Sequence, residues 1–180
     1  MDPFLQAAAE PTGLPEALHD LHSKEGTYIG RCDIQRGQGW LAGLSLWLGG
    51  FPHSGRDVSV RFTVSRRGPG WEWRRDFGGH ITQSRLSFDR QSNCVREDFG
   101  ALSIWLKPVV AGARLQINIR RLTLWGIAVP NALLPQSSTV EWQDDQGRFR
   151  FDVSARAPMV GQLIRYHGWL TPDHSHPPVV

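Results

Sequence analysis

A chain of 180 residues suits one domain with a substantial core and is short for two, since domains most often run to about 100–150 residues. Its formal charge of +3 is the balance of 20 Lys and Arg against 17 Asp and Glu, and the arginines stand beside acids, as Arg31 near Asp33, Arg75 before Asp76 and Arg96 before Glu97. A nucleic-acid binder concentrates unopposed positive charge on one face, so that class is set aside.

In chain order, residues 1–13, rich in Ala and closed by Pro11 and Gly13, read as a flexible tail. The start lacks the charged n-region and apolar h-region of a secretory signal, and no apolar run approaches the roughly 20 residues of a membrane span; a cytoplasmic protein with no stable membrane span is expected. In LPEALHDLHS, Leu14, Leu18 and Leu21 recur at helical spacing, with Pro15 placed for a first turn. TYIGRCDIQRG alternates as a strand. GWLAGLSLWLGGFP is apolar nearly all round and predicts a helix from Trp40 to Leu48 that must be buried against something.

From residue 57 the pattern is strands punctuated by turns: DVSVRFTVSRR, WEWRRDF, HITQSRLSFD, CVREDFG, ALSIWLKPVV and RLQINIRRLTLW. The Pro-containing loop NALLPQSS precedes STVEWQDD, DQG turns into FRFDVSAR, and a short VGQLIRYHGWL leads to a polar tail. Short connections make such strands antiparallel neighbours. The expectation is a mainly β (α+β) fold: a curved antiparallel sheet or barrel of about eight or nine strands with one or two N-terminal helices. Residues 14–172 would form one β-rich domain, with flexible tails at 1–13 and 173–180.

The chain carries 8 Trp and 8 Phe against 2 Tyr. Such flat side chains fill a core, line an apolar pocket or stand in a contact surface, most commonly the first. GQGWLAG at 37–43 imitates a dinucleotide-binding turn, but its third glycine comes one place late and no βαβ unit follows. His19 and His22 share one helical turn without a third ligand and read as surface residues, while His174 and His176 lie in the tail; no metal and no cofactor is expected. Cys32 and Cys94 are far apart with no CxxC spacing and read as reduced, buried thiols.

Parity along the strands gives the sharper signal. In GRFRFDVSAR, Phe149, Phe151 and Val153 take one face, while Arg148, Arg150, Asp152 and Arg156 take a solvated outer one. A polar residue in step with the apolar set is an intruder that must be paired or functional. Arg75 falls in step with Trp73 and Phe77, Glu97 with Val95 and Phe99, Arg121 with Ile117 and Ile119, His167 with Leu163 and Trp169, and Tyr166 with Ile164 and Leu170; Tyr28 and Cys32 join from the first strand. These intruders suggest a pocket with ligand-binding residues Tyr28, Trp40, Trp47, Arg75, Trp105, Arg121 and Tyr166, and with Glu97 and His167 as candidate catalytic groups. Two plainer outcomes stay open: Glu97 forms a structural ion pair with Arg75 or Arg121, or a bulge flips the parity and puts these residues in water.

LPEALHDLH, GRDVSVRFTVSR, FGG, REDFGALSIWL, GRFRFDVSAR and LIRYHGWL, in that order and spacing, resemble the bacterial family known as domain of unknown function 4166, over roughly Leu14 to Pro172. The family has no established activity to carry to named residues. Its members often lie behind a saccharopine-dehydrogenase-like NAD(P)-binding reductase, so the resemblance implies a domain that acts alone or with a separate reductase. His167 stands where the family more often has Arg. The expected function is binding of a small, largely apolar molecule in a Trp- and Phe-lined pocket, accessory to a reductase or a biosynthetic pathway. The alternatives are a cofactor-free cyclase or isomerase of specialised metabolism in the same pocket, and a structural or partner-binding domain with a filled core.

Overall fold

The computed structural model describes residues 2–8, 13–39, 43 and 50–175. Long alternating runs become strands, and short glycine turns keep successive strands adjacent. β1 (Gly26–Arg36), β2 (Gly55–Arg67), β3 (Gly70–Phe77), β4 (His80–Asp89), β5 (Cys94–Phe99), β6 (Leu102–Ala111) and β7 (Arg114–Leu124) form an antiparallel meander. Two-residue strands β8 (Ile127–Ala128) and β9 (Gln136–Ser137) interrupt it before β10 (Thr139–Gln143), β11 (Phe149–Ala157) and β12 (Gly161–Pro172) complete it. In the turn between β3 and β4, Gly78 and Gly79 have φ of 61° and 100°, the left-handed region that tight hairpins require.

The ends of the meander meet. β12 pairs with β1 from Tyr28↔Pro172 to Arg36↔Ile164, and β10 pairs with β7, so ten strands close into an antiparallel barrel with no long open edge. Ten strands slightly exceed the expected eight or nine, and VGQLIRYHGWL, short by its pattern, belongs to the 12-residue strand that makes the closure. Glycine permits that seam: a Cβ on Gly30 would sit 1.8 Å from the Trp169 carbonyl oxygen, and one on Gly168 would sit 2.1 Å from that of Arg31.

Two short helices close the lower end, where the β4–β5, β6–β7 and β10–β11 turns lie. α1 (Pro3–Ala7) occupies part of the expected tail. It forms because Asp2 caps it, accepting the Phe4 N–H at 2.6 Å, with Pro3 in the first turn. It stays because Phe4 and Leu5 are buried and Lys107 Nζ donates to both Ala7 O and Asn93 O. α2 (Glu16–Leu21) buries Leu18 and Leu21, and its Ala17 N–H donates to Gln143 Oε1 at the end of β10. The second expected tail also begins with an anchored residue, since Asp173 accepts from Arg61 Nη1 at 2.8 Å. The helix expected over Trp40–Leu48 lies outside the described residues, apart from Gly43.

Eight-stranded barrels are just wide enough to be filled by side chains or to hold one small ligand. A ten-stranded barrel is wider, and the bulk of its rings and aliphatic chains decides how much of the interior stays open.

Candidate functional site in the barrel cavity

Residues two apart along each strand face inward. Trp73, Arg75 and Phe77 of β3, Glu97 and Phe99 of β5, Phe149, Phe151 and Val153 of β11, and Ile164, Tyr166 and Leu170 of β12 converge on one cavity of about 160 Å³. Phe4 and Leu21 line it from the helices, and Phe51 from the β1–β2 connection. The interior is therefore not filled. It is smaller than the roughly 300 Å³ at which drug-sized pockets begin and close to the roughly 150 Å³ apolar cavity that accepts a benzene-sized molecule.

Within this apolar wall sits a charged pair. Arg75 Nη2 donates to Glu97 Oε1 at 2.8 Å, and Ser84 Oγ donates to the same oxygen at 2.6 Å while receiving Arg75 Nη1 at 3.0 Å. The pair is enclosed, with side-chain exposures of 14% and 7%. The guanidinium lies 5.0 Å from the Trp73 ring centre and 5.5 Å from that of Phe62, so its charge is also held by aromatic faces. Both bonds to Glu97 end on Oε1, which leaves Oε2 for the cavity that the residue lines.

Tyr166 completes this region. Its ring packs 5.8 Å from Phe77 and 6.1 Å from Phe151. Burial, aided by the Glu97 charge and opposed by Arg75, pushes its phenol up to about 12. The hydroxyl is then protonated at neutral pH and able to donate.

A second polar group stands at the cavity floor, and the sequence reading missed it. His22, expected on the surface, is fully buried at the end of α2. Its Nε2 donates to Glu141 Oε2 of β10 at 2.8 Å, and its Nδ1 is 3.8 Å from Asp2 Oδ1, an ion-pair distance rather than a hydrogen bond. Burial alone would depress the imidazole, but Glu141 and Asp2 together raise it to about 10. Phe4, Trp73 and Phe149 surround the ring at 4.9, 5.6 and 6.4 Å between centres. The signal that could have found the group is Glu141, in step with Thr139 and Gln143 on a strand whose other face carries Val140 and Trp142. Among the described residues, no three His, Cys, Asp or Glu side chains gather as a metal site.

Residues 14–170 match the family model described as a domain of unknown function (DUF4166). The chain belongs to that family. No curated protein matches it.

In this DUF4166 barrel, three of the expected site residues meet at the cavity: Arg75, Glu97 and Tyr166. Tyr28 is buried with its ring 6.4 Å from Phe62, yet it belongs to the packed core and does not line the cavity; burial and Asp20 push its phenol up to about 12. Trp105 and Arg121 lie on the outer face. The register between β6 and β7 shifts from Trp105↔Arg121 to Leu106↔Ile119, so Arg120 is an extra residue that reverses the parity beyond it. Arg121 is exposed and lies 4.6 Å from the Trp105 ring centre, with Arg96 5.2 Å from the same ring. His167 also points outward, because the inward residues of β12 are Ile164, Tyr166 and Leu170; its register partners are Asp33 and Asp152. Trp40 and Trp47 lie outside the described residues. Cys32 and Cys94 are buried and unpaired, and burial with Asp33 nearby pushes the Cys32 thiol up to about 12.

Proposed function

We propose that the barrel binds a small, compact, largely apolar molecule carrying a hydrogen-bond donor. The observation that carries this reading is the Glu97 carboxylate, anchored through Oε1 by Arg75 and Ser84 inside an aromatic cavity of about 160 Å³. The second oxygen of Glu97 takes part in neither bond, and holding a carboxylate beside an apolar wall without a hydrogen-bond donor costs free energy. A ligand hydroxyl or amine offsets that cost while its apolar body fills the remaining space. Tyr166 stands by as a second polar contact. The volume favours a body of about one ring. The domain would hold such a molecule for chemistry done elsewhere, the role that association with a separate reductase calls for.

The enzyme reading, a cofactor-free cyclase or isomerase, uses the same residues. It is supported by one feature: a protonated phenol at Tyr166 and the Glu97 carboxylate share the cavity, a donor and an acceptor for moving a proton.

Benzyl alcohol is a probe of suitable size. Titration by calorimetry is expected to give saturable one-to-one binding that Val153→Trp, which fills the cavity, abolishes. Glu97→Gln should weaken it about tenfold by removing a charge-assisted bond. Absence of saturable binding, or binding indifferent to Val153→Trp, contradicts the proposal.

A further inference from the structure

Resting on that reading of the cavity, we infer that it has a second polar pole, built on Glu141, and takes a molecule with two hydrogen-bond donors separated by an apolar body. β10 carries this second pole. Its inward residues are Thr139, Glu141 and Gln143, all polar, while Val140 and Trp142 face out. The outward Trp142 is kept there by cations, with Arg114 and Arg150 at 5.9 and 5.8 Å from its ring centre. A strand turned this way places polar groups inside a barrel where apolar ones would pack at no desolvation cost, so each inward group needs a partner.

All three have one, and Thr139 Oγ1 receives Ser137 Oγ at 2.9 Å. Gln143 Oε1 accepts the Ala17 N–H, and Glu141 Oε2 accepts from His22. Glu141 is only 6% exposed and lines the cavity, and its Oε1 takes part in neither of those bonds. His22, wholly enclosed, holds one oxygen of a carboxylate that lines the cavity. This repeats the plan of Glu97, where Arg75 and Ser84 hold one oxygen and leave the other.

The two carboxylates enter from separate points on the wall, since β5 and β10 are three strands apart around the barrel by way of β6 and β7. Each accepts only, so a ligand that satisfies both must bring a donor to each. The lining of the intervening β6 and β7 is Ile104, Leu106, Ile117 and Ile119, which demands an apolar middle. Diols, amino alcohols and diamines meet these requirements; a ligand with a carboxylate at one end would set like charge against Glu97 or Glu141.

The test uses three probes of one shape: p-xylene, 4-methylbenzyl alcohol and benzene-1,4-dimethanol. Calorimetric titration of the full chain is expected to show benzene-1,4-dimethanol binding at least tenfold tighter than 4-methylbenzyl alcohol, with p-xylene weakest. In the double variant His22→Leu/Glu141→Leu, which replaces the buried pair by apolar groups of similar size, the preference for the second hydroxyl should disappear while 4-methylbenzyl alcohol still binds. Glu141→Gln, a smaller perturbation, should reduce the preference about threefold and serves as the variant should the double one not fold. Binding of all three probes without preference for the diol, or a preference that survives removal of Glu141, overturns the second pole and leaves the cavity reading intact. Failure of every probe to bind overturns both.

Discussion

β10 and β11 are hydrogen-bonded neighbours, paired from Val140↔Asp152 to Gln143↔Phe149, and they obey opposite rules. β11 turns Phe149, Phe151 and Val153 into the barrel and sends Asp152 outward, where Arg165 holds it with two bonds of 2.9 and 2.6 Å. β10 turns Glu141 inward and Trp142 outward. The difference teaches that hydrophobicity does not orient a strand by itself. β10 is pinned on both edges, by β11 and by β7, and its register puts Glu141 opposite Phe151 and Leu115, both inward residues. Once the register is fixed, Glu141 must face inward, and His22 is what makes that position tolerable.

The strongest way to break the comparison is to remove one member of the buried pair. Glu141→Ala should cost about 3–5 kcal/mol in urea unfolding, because it leaves the His22 cation with Asp2 alone, whereas His22→Leu/Glu141→Leu, which leaves only Asp2 without its cation, should cost less. A double variant as damaging as the single one would show that the pair holds the fold by its charge. Phe151→Ala on β11 should cost about 3–4 kcal/mol, at the low end of large core truncations since the ring already borders a void. Trp142→Ala on the outer face of β10 should cost about 1–2 kcal/mol, the loss of two exposed cation–π contacts and part of a covered ring. If Trp142→Ala outweighs Phe151→Ala, the assignment of inner and outer faces is wrong.

The same pair predicts a pH dependence. His22 is raised in the folded state to about 10, so the stability it contributes is fully present below its unfolded value near 6.5 and is lost as pH rises through about 10. Unfolding followed from pH 6 to 10 should show falling stability in the wild type and a flatter profile in the double variant. The smallest effect is expected on the surface: Asp152→Ala, which removes the partly exposed pair with Arg165, should change stability by no more than about 1 kcal/mol.

How much of this was legible in the sequence follows from the same contrast. β3, β5, β11 and β12 alternate regularly, and parity found Arg75, Glu97 and Tyr166 because nothing interrupts the period between them and their apolar neighbours. Parity failed at Arg121 because the extra residue, Arg120, exists only in the pairing of β7 with β6 and leaves no mark in RLQINIRRLTLW. It failed at His167 by choosing the outer set of β12, where Leu163 and Trp169 are apolar but partly exposed. His22 was unreadable for another reason: a helix of six residues has no fixed face until it docks. The mainly β class was legible from strand spacing, and barrel closure was left open between sheet and barrel because the β1–β12 seam joins residues at opposite ends of the chain.

The most direct measurement is the indole N–H spectrum during titration with benzyl alcohol. Trp73 lines the cavity, whereas Trp105 and Trp142 lie on the outer wall under arginines. A saturable shift of the Trp73 indole is expected, with the Trp105 and Trp142 signals unmoved. A Trp73 signal that stays in place, or saturable shifts confined to the outer tryptophans, would contradict binding in the cavity.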